Sequence, residues 1–219
     1  MPKGFLVAFE GIDGSGKTTL ARHVDKLLRE RGLLTFFVGS GHLPSKSIVM
    51  QIKRITHSPN NHQMCQITET FLYLASLAQR TEQYVIPHLE EGKVVLADRF
   101  AMSVLVLAHY ARRLPKDTVS KMIGLATREI NPNLTVLCDI EVSVAEERKK
   151  SVSSQSRKER EGTALMETLR KGYLQEAELL GDNCIVLRSD NLSIQEMSSK
   201  VTSAVMKYLS MGGVSSELS

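Results

Sequence analysis

A chain of 219 residues is long enough for one substantial hydrophobic core and short for two. Hydrophobic residues at 42% and charged residues at 24% exclude disordered and fibrous classes. The net charge of +4 suits a protein that handles small anions, whereas 5% aromatic residues and no basic stripe give a nucleic-acid surface no footing.

The first apolar run, Phe5–Phe9, reads as a strand, and the four residues before it lack the form of a signal peptide. Thr18–Arg31 places Leu20, Val24, Leu27 and Leu28 on one helical face and stops at Gly32. Leu34–Val38 is a second strand. Gln63–Glu90 reads as a long amphipathic helix with Ile67, Phe71, Leu74 and Ala78 in register, Pro87 near its end and a turn at Glu91-Gly92. Val94–Ala97, Leu134–Ile140 and Cys184–Leu187 complete the strands. Glu161–Leu180 and Ser193–Leu209 complete the helices. Strands alternating with helices predict an α/β fold, a five-stranded parallel sheet with helices on both faces, because parallel strands need crossover connections. Residues 1–210 are expected to form one domain, the polar segment 151–161 an exposed loop, and residues 211–219 a flexible tail.

Three cysteines, with no CxxC spacing, exclude a disulfide framework and a zinc site. Cys138 and Cys184 lie in apolar runs and read as buried. No apolar stretch approaches the ~20 residues that span a bilayer. A cytoplasmic protein, with no membrane and no nucleic-acid partner, is therefore expected.

Chemistry enters with Gly11-Ile12-Asp13-Gly14-Ser15-Gly16-Lys17-Thr18, which fits GxxxxGK[ST] between a strand and a helix. Its glycines let backbone N–H groups turn inward around an anion, and the helix start adds its positive end. These residues, with Thr19, form a site for the phosphates of ATP in a P-loop three-layer fold. Lys17 is expected to reach the β- and γ-phosphates, and the Thr18 hydroxyl to ligate Mg²⁺. The strand Val94–Ala97 runs into Asp98, a second candidate Mg²⁺ ligand at the carboxyl edge of the sheet. Arg99 beside it suits an enzyme that must hold a second anion in line. Arg157 and Arg160, in the polar segment after the fourth strand, read as lid arginines over the moving phosphoryl group.

The runs Val7–Thr19, Gly92–Phe100 and Leu169–Ala177 resemble thymidylate kinases in content, order and spacing, over about residues 4–209. The resemblance implies phosphoryl transfer from ATP–Mg²⁺ to a nucleoside monophosphate, dTMP by default, and commonly a homodimer. It places Asp13 near the acceptor phosphate and metal, and Arg188 to Asn191 beside the adenine.

Three departures fall on the acceptor side. The family's arginine-bearing loop after the second strand is here Val38-Gly-Ser-Gly-His-Leu-Pro44, whose only new polar side chain of note is His42. The base-stacking aromatic of the long helix is Tyr73, but the base-reading arginine one turn later is Leu77. Polar contacts beyond Asp98-Arg99 fall at Val104 and Leu107. Gln79, Arg80 and Ser103 remain as polar candidates, Arg80 as a shifted replacement for the missing guanidinium. A kinase for another small-molecule acceptor and a non-catalytic nucleotide-binding regulator stay open as alternatives.

Overall fold

The computed structural model describes residues 4–39, 42–150 and 162–211. The segment 151–161, with Arg157 and Arg160, and the tail 212–219 lie outside the described residues. Five strands, β1 (Phe5–Glu10), β2 (Thr35–Val38), β3 (Val94–Asp98), β4 (Leu134–Asp139) and β5 (Cys184–Arg188), pair in the order β2-β3-β1-β4-β5. Every pairing is parallel. The carboxyl ends of all five strands therefore share one edge, and β1 occupies the centre of the sheet.

Nine α-helices are described: α1 (Lys17–Glu30), α2 (Ile48–His57), α3 (Gln66–Arg80), α4 (Ile86–Glu90), α5 (Ala101–Leu105), α6 (Lys116–Thr127), α7 (Val142–Lys150), α8 (Gly162–Leu180) and α9 (Ile194–Met211). The two-residue period of β1 decides which helices cover which face. Phe5, Val7 and Phe9 pack with Leu20, Val24 and Leu28 of α1 and Val201 and Val205 of α9. Leu6 and Ala8 point the other way, onto Leu74 and Leu77 of α3 and Leu89 of α4. A third cluster joins Leu137 of β4 to Tyr173 and Ala177 of α8. Both faces are thus sealed, which is why the strands read as continuous apolar runs.

The long helix departs from its sequence pattern. It begins at Gln66 and passes through a π-helical turn, Thr81–Val85, before α4. Pro87 has no N–H to donate, and the widened turn ahead of it lets the chain continue instead of stopping. Its inner face is also shifted. Thr70, Leu74 and Leu77 are buried, whereas Ile67 and Phe71, read as core-facing, are 42% and 55% exposed. Helices α2, α5, α6 and α7 answer to no periodicity identified in the sequence. Cys138 is buried as expected, its thiol pushed up to about 12 by desolvation. Cys184 is only half-buried.

The start of β4 is tied to β1 by a side chain. Asn133 accepts a 2.7 Å bond from Leu6 N through its Oδ1, and its own N–H donates to Leu6 O. Asn133→Ala leaves the Leu6 amide without that acceptor, and should lower unfolding free energy by about 1–3 kcal/mol in a urea titration.

Candidate active site

The loop after β1 folds back beneath the N-terminus of α1. Gly11 and Gly14 adopt φ of 137° and 87°, and a Cβ at Gly11 would lie 2.4 Å from the Cys138 carbonyl oxygen. A side chain there would both strain the backbone and collide with β4. Lys17 is buried at the head of α1. Its ammonium donates to Ile12 O at 3.3 Å and stands 3.6 Å from Asp13 Oδ1. Burial, then the charge of Arg99, lower its pKa, and Asp13 and Asp98 oppose them. Ser15 is fully buried and Thr19 exposed on the first turn of α1.

Thr18 Oγ1 donates to Asp98 Oδ2 at 2.6 Å, which joins the phosphate loop to the end of β3. The second carboxylate oxygen, Asp98 Oδ1, is buried with no hydrogen-bond partner. A hydroxyl and an unsatisfied carboxylate oxygen at one point are a donor set suited to a hard cation such as Mg²⁺. Among the described residues no group of three His, Cys, Asp or Glu could hold a metal. That fits a cation whose remaining ligands are phosphate oxygens and water.

Arg99 follows at once, with a left-handed backbone (φ 67°) and its N–H bonded to Phe9 O at 2.9 Å. Its guanidinium donates to Gly11 O at 2.9 Å, Ser103 Oγ at 3.1 Å, the Tyr173 hydroxyl at 2.9 Å and the Asp13 carboxylate. Burial opposes the charge, but Tyr173, Asp13, Asp98 and Glu10 together outweigh it. The arginine is permanently cationic and fixed in place.

Glu10, the last residue of β1, is fully buried. It accepts from Phe100 N at 2.8 Å, from Ser103 N at 3.3 Å and from the Ser103 hydroxyl. Its carboxylate thereby satisfies amides at the start of α5, which have no partner within the helix. Desolvation raises its pKa against the opposing pull of Ser103, Arg99 and those amides. Tyr173 is pushed up to about 12 chiefly by burial, so its hydroxyl keeps its proton at neutral pH.

On the acceptor side, Tyr73 is half-buried, while Leu77 (1% exposed), Val104 and Leu107 are enclosed in the interior. Leu77 and Val104 belong to the core cluster with Leu74, Val85 and Phe100. His42 is exposed, its ring edge-on to Phe37 at 4.6 Å. Gln79 bonds along its own helix to Gln83. Arg80 donates to Asp98 O at 3.3 Å.

At the far end of the sheet edge, Arg188 pairs with Asp190 and Glu141, and Asn191 is exposed beside it. Arg170 of α8 forks onto Asp139 and Glu141, binding the end of β4 and the turn after it to that helix. Arg148 of α7 donates to Ser189 O, and its Nη1 lies 3.9 Å from where a Gly16 Cβ would stand.

A P-loop joined through Thr18 to a strand-end Asp-Arg pair leaves the family to be settled by the chain as a whole. The sequence model described as "Thymidylate kinase" matches residues 9–201. The chain belongs to the thymidylate kinase family. A thymidylate kinase of Geobacter sulfurreducens is 35% identical over 178 residues, covering 78% of this chain and 82% of its own. One of Thermosipho africanus is 34% identical over 204 residues (93% and 98%). One of a Geobacillus strain is 33% identical over 212 residues (94% and 98%).

In this member of the thymidylate kinase family, Lys17, Thr18, Asp98, Arg99, Asp13 and Ser103 are brought together by the fold. Glu10, Tyr173 and Arg148 were not identified in advance as site residues. Glu10 ends an apolar run and carried the signal of a charged residue where a buried strand stops. A raised pKa favours protonated Glu10 in the fold, so this group's contribution to stability is full below pH 4.5 and falls as pH rises above it. Glu10→Gln cannot ionise; its unfolding free energy in urea should gain on that of the native chain between about pH 4 and pH 8.

Proposed function

We propose that the chain transfers the γ-phosphoryl group of ATP to a nucleoside monophosphate, converting dTMP to dTDP, with residues 1–210 acting as one catalytic unit. The observation that carries this is the Thr18–Asp98 bond beside the pinned Arg99, a donor-phosphate site and a second anion site on one sheet edge. The family's name supports the reaction, and the enzyme's own contribution is positioning and charge neutralisation.

Loop residues 11–16, with Lys17, Thr18 and Thr19, hold the ATP phosphates. Thr18 and Asp98 would hold Mg²⁺, which supplies charge neutralisation on the donor phosphates. An oxygen of the acceptor phosphate, held by Arg99 with Asp13 nearby, attacks the γ-phosphorus. The bond from that phosphorus to the β,γ-bridging oxygen breaks, and ADP leaves with the electron pair. Negative charge on the equatorial oxygens falls to Lys17 and to Arg157 or Arg160 of the lid. Arg188 and Asn191, with Arg148 over the head of α1, suit the adenosine end of ATP. Tyr73 and Ser103 face the acceptor, with His42 as a further polar group near it.

A second reading, another acceptor on the same scaffold, is favoured by one observation. Leu77 is a core residue, and no polar side chain stands there to read a pyrimidine edge. ADP release with dTMP, UMP, CMP, GMP and AMP decides between the two.

The chain is further proposed to be a cytoplasmic homodimer. Three free cysteines are consistent with a reducing compartment, and among the described residues no helix is long and apolar enough to cross a membrane. The packed pair α2 and α3 leaves Ile48, Ile55, Ile67 and Phe71 exposed, apolar surface suited to a second copy.

Lys17→Ala and Arg99→Ala should each cut turnover by about 10³-fold or more in a coupled ADP-release assay. Arg99→Ala should leave ATP affinity, measured calorimetrically, within about twofold, since the role assigned to its charge is to hold the acceptor phosphate and not the donor. Phe71→Glu should shift sedimentation from dimer to monomer without lowering thermal stability, because the ring is more than half exposed.

A further inference from the structure

Arg80 ends α3 with its head group against the end of β3, and the protein does not saturate it. One Nη makes a long bond to the Asp98 carbonyl oxygen, and Nε is buried with no partner. No carboxylate forms an ion pair with it among the described residues. The charged groups that face it are Glu10 and Asp98, which attract, and Arg99, which repels. Neither carboxylate hydrogen-bonds to it: Glu10 is committed to Phe100 and Ser103, and Asp98 accepts from Thr18 through Oδ2, while its Oδ1 has no partner. A part-buried guanidinium with a buried, unpartnered Nε beside a second guanidinium is costly unless an anion joins them.

Position along the helix identifies which part of a ligand that anion would be. Tyr73 and Arg80 are seven residues apart, two turns on one face and about 10 Å along the axis. That span matches a nucleotide with its base against Tyr73 and its phosphate at Arg80. Arg80 is also the residue touching the Asp98 backbone, immediately next to Arg99. The loop after β2 offers no arginine, so the acceptor phosphate has only Arg99 unless α3 supplies another.

We propose that Arg80 is a binding residue for the acceptor's phosphate and forms with Arg99 a two-guanidinium clamp that requires a phosphate monoester. The clamp rests on the monophosphate-kinase reading and sharpens it: two cations face one dianion, so a nucleoside without its phosphate gains nothing from Arg80.

Calorimetric titration without ATP tests the clamp, using dTMP and thymidine against the native protein, Arg80→Met and Arg80→Lys. Arg80→Met should weaken dTMP by about 10- to 100-fold and change thymidine by less than about twofold, with Arg80→Lys in between. Equal losses for both ligands, or no loss for either, overturn the clamp. If the native protein fails to bind dTMP, the dTMP assignment fails, and the same comparison is made with UMP, CMP, GMP and AMP and their nucleosides. Binding of none of the five overturns the clamp as well. Unliganded Arg80→Met should melt at or above the native temperature, because it removes a part-buried cation to which no carboxylate is hydrogen-bonded. A fall of about 5 °C or more makes Arg80 a structural residue and overturns its assignment.

Discussion

The Arg99 guanidinium is the joint on which the site depends. It reaches the phosphate loop at Gly11 and Asp13, α5 at Ser103 and α8 at Tyr173, while its own backbone is bonded to β1. Three separate stretches of chain are registered against one rigid planar fork, and a fourth against its backbone. The left-handed turn at φ 67° allows this, because it swings the side chain back over the sheet edge instead of onward along α5. A turn of that kind costs of order 1–3 kcal/mol in a non-glycine residue and persists only where its surroundings impose it. Here four bonding partners do so.

Charge is balanced around that joint in layers. Beneath Arg99 lies Glu10, buried and saturated by amides and a hydroxyl; in front of it lies Asp13, exposed to incoming ligand. Lys17 and Arg80 flank the Asp98 end of β3, one from the P-loop and one from α3. The result is a group of cations and carboxylates interleaved at the carboxyl end of β3. Phosphoryl transfer needs this arrangement, since the donors must already be aimed before negative charge moves between them. The modest net charge of the chain is therefore a poor guide to its chemistry, and the placement of five or six side chains is the better one.

Much of this was legible in the sequence, and the boundary of legibility has physical causes. The strands were readable to within a residue or so because a parallel sheet covered on both faces demands unbroken apolar runs. The phosphate loop was readable because glycine spacing and backbone conformation are tied together. Helices α5 and α7 were not, since one is a short turn after the Asp-Arg pair and the other, among its described side chains, buries only Val142 and Ala145. In α3 the apolar residues Ile67 and Phe71 lie on the outer face while Glu69 and Thr70 lie inside, so counting hydrophobes alone misplaced the stripe. Glu10 and Tyr173 act through contacts between distant segments, and no local pattern encodes those.

Leu77 divides the enzyme into two parts that can change independently. The residues that handle phosphates are joined by short hydrogen bonds among four segments, so replacing any one leaves several others unpaired. The face of α3 around Leu77 is held by apolar packing with Leu74, Val85, Phe100 and Val104. Exchange of one apolar residue for another there leaves no orphaned donor behind. Volume-conserving exchange on that face therefore disturbs packing alone, whereas any change around Arg99 breaks a hydrogen-bonded network.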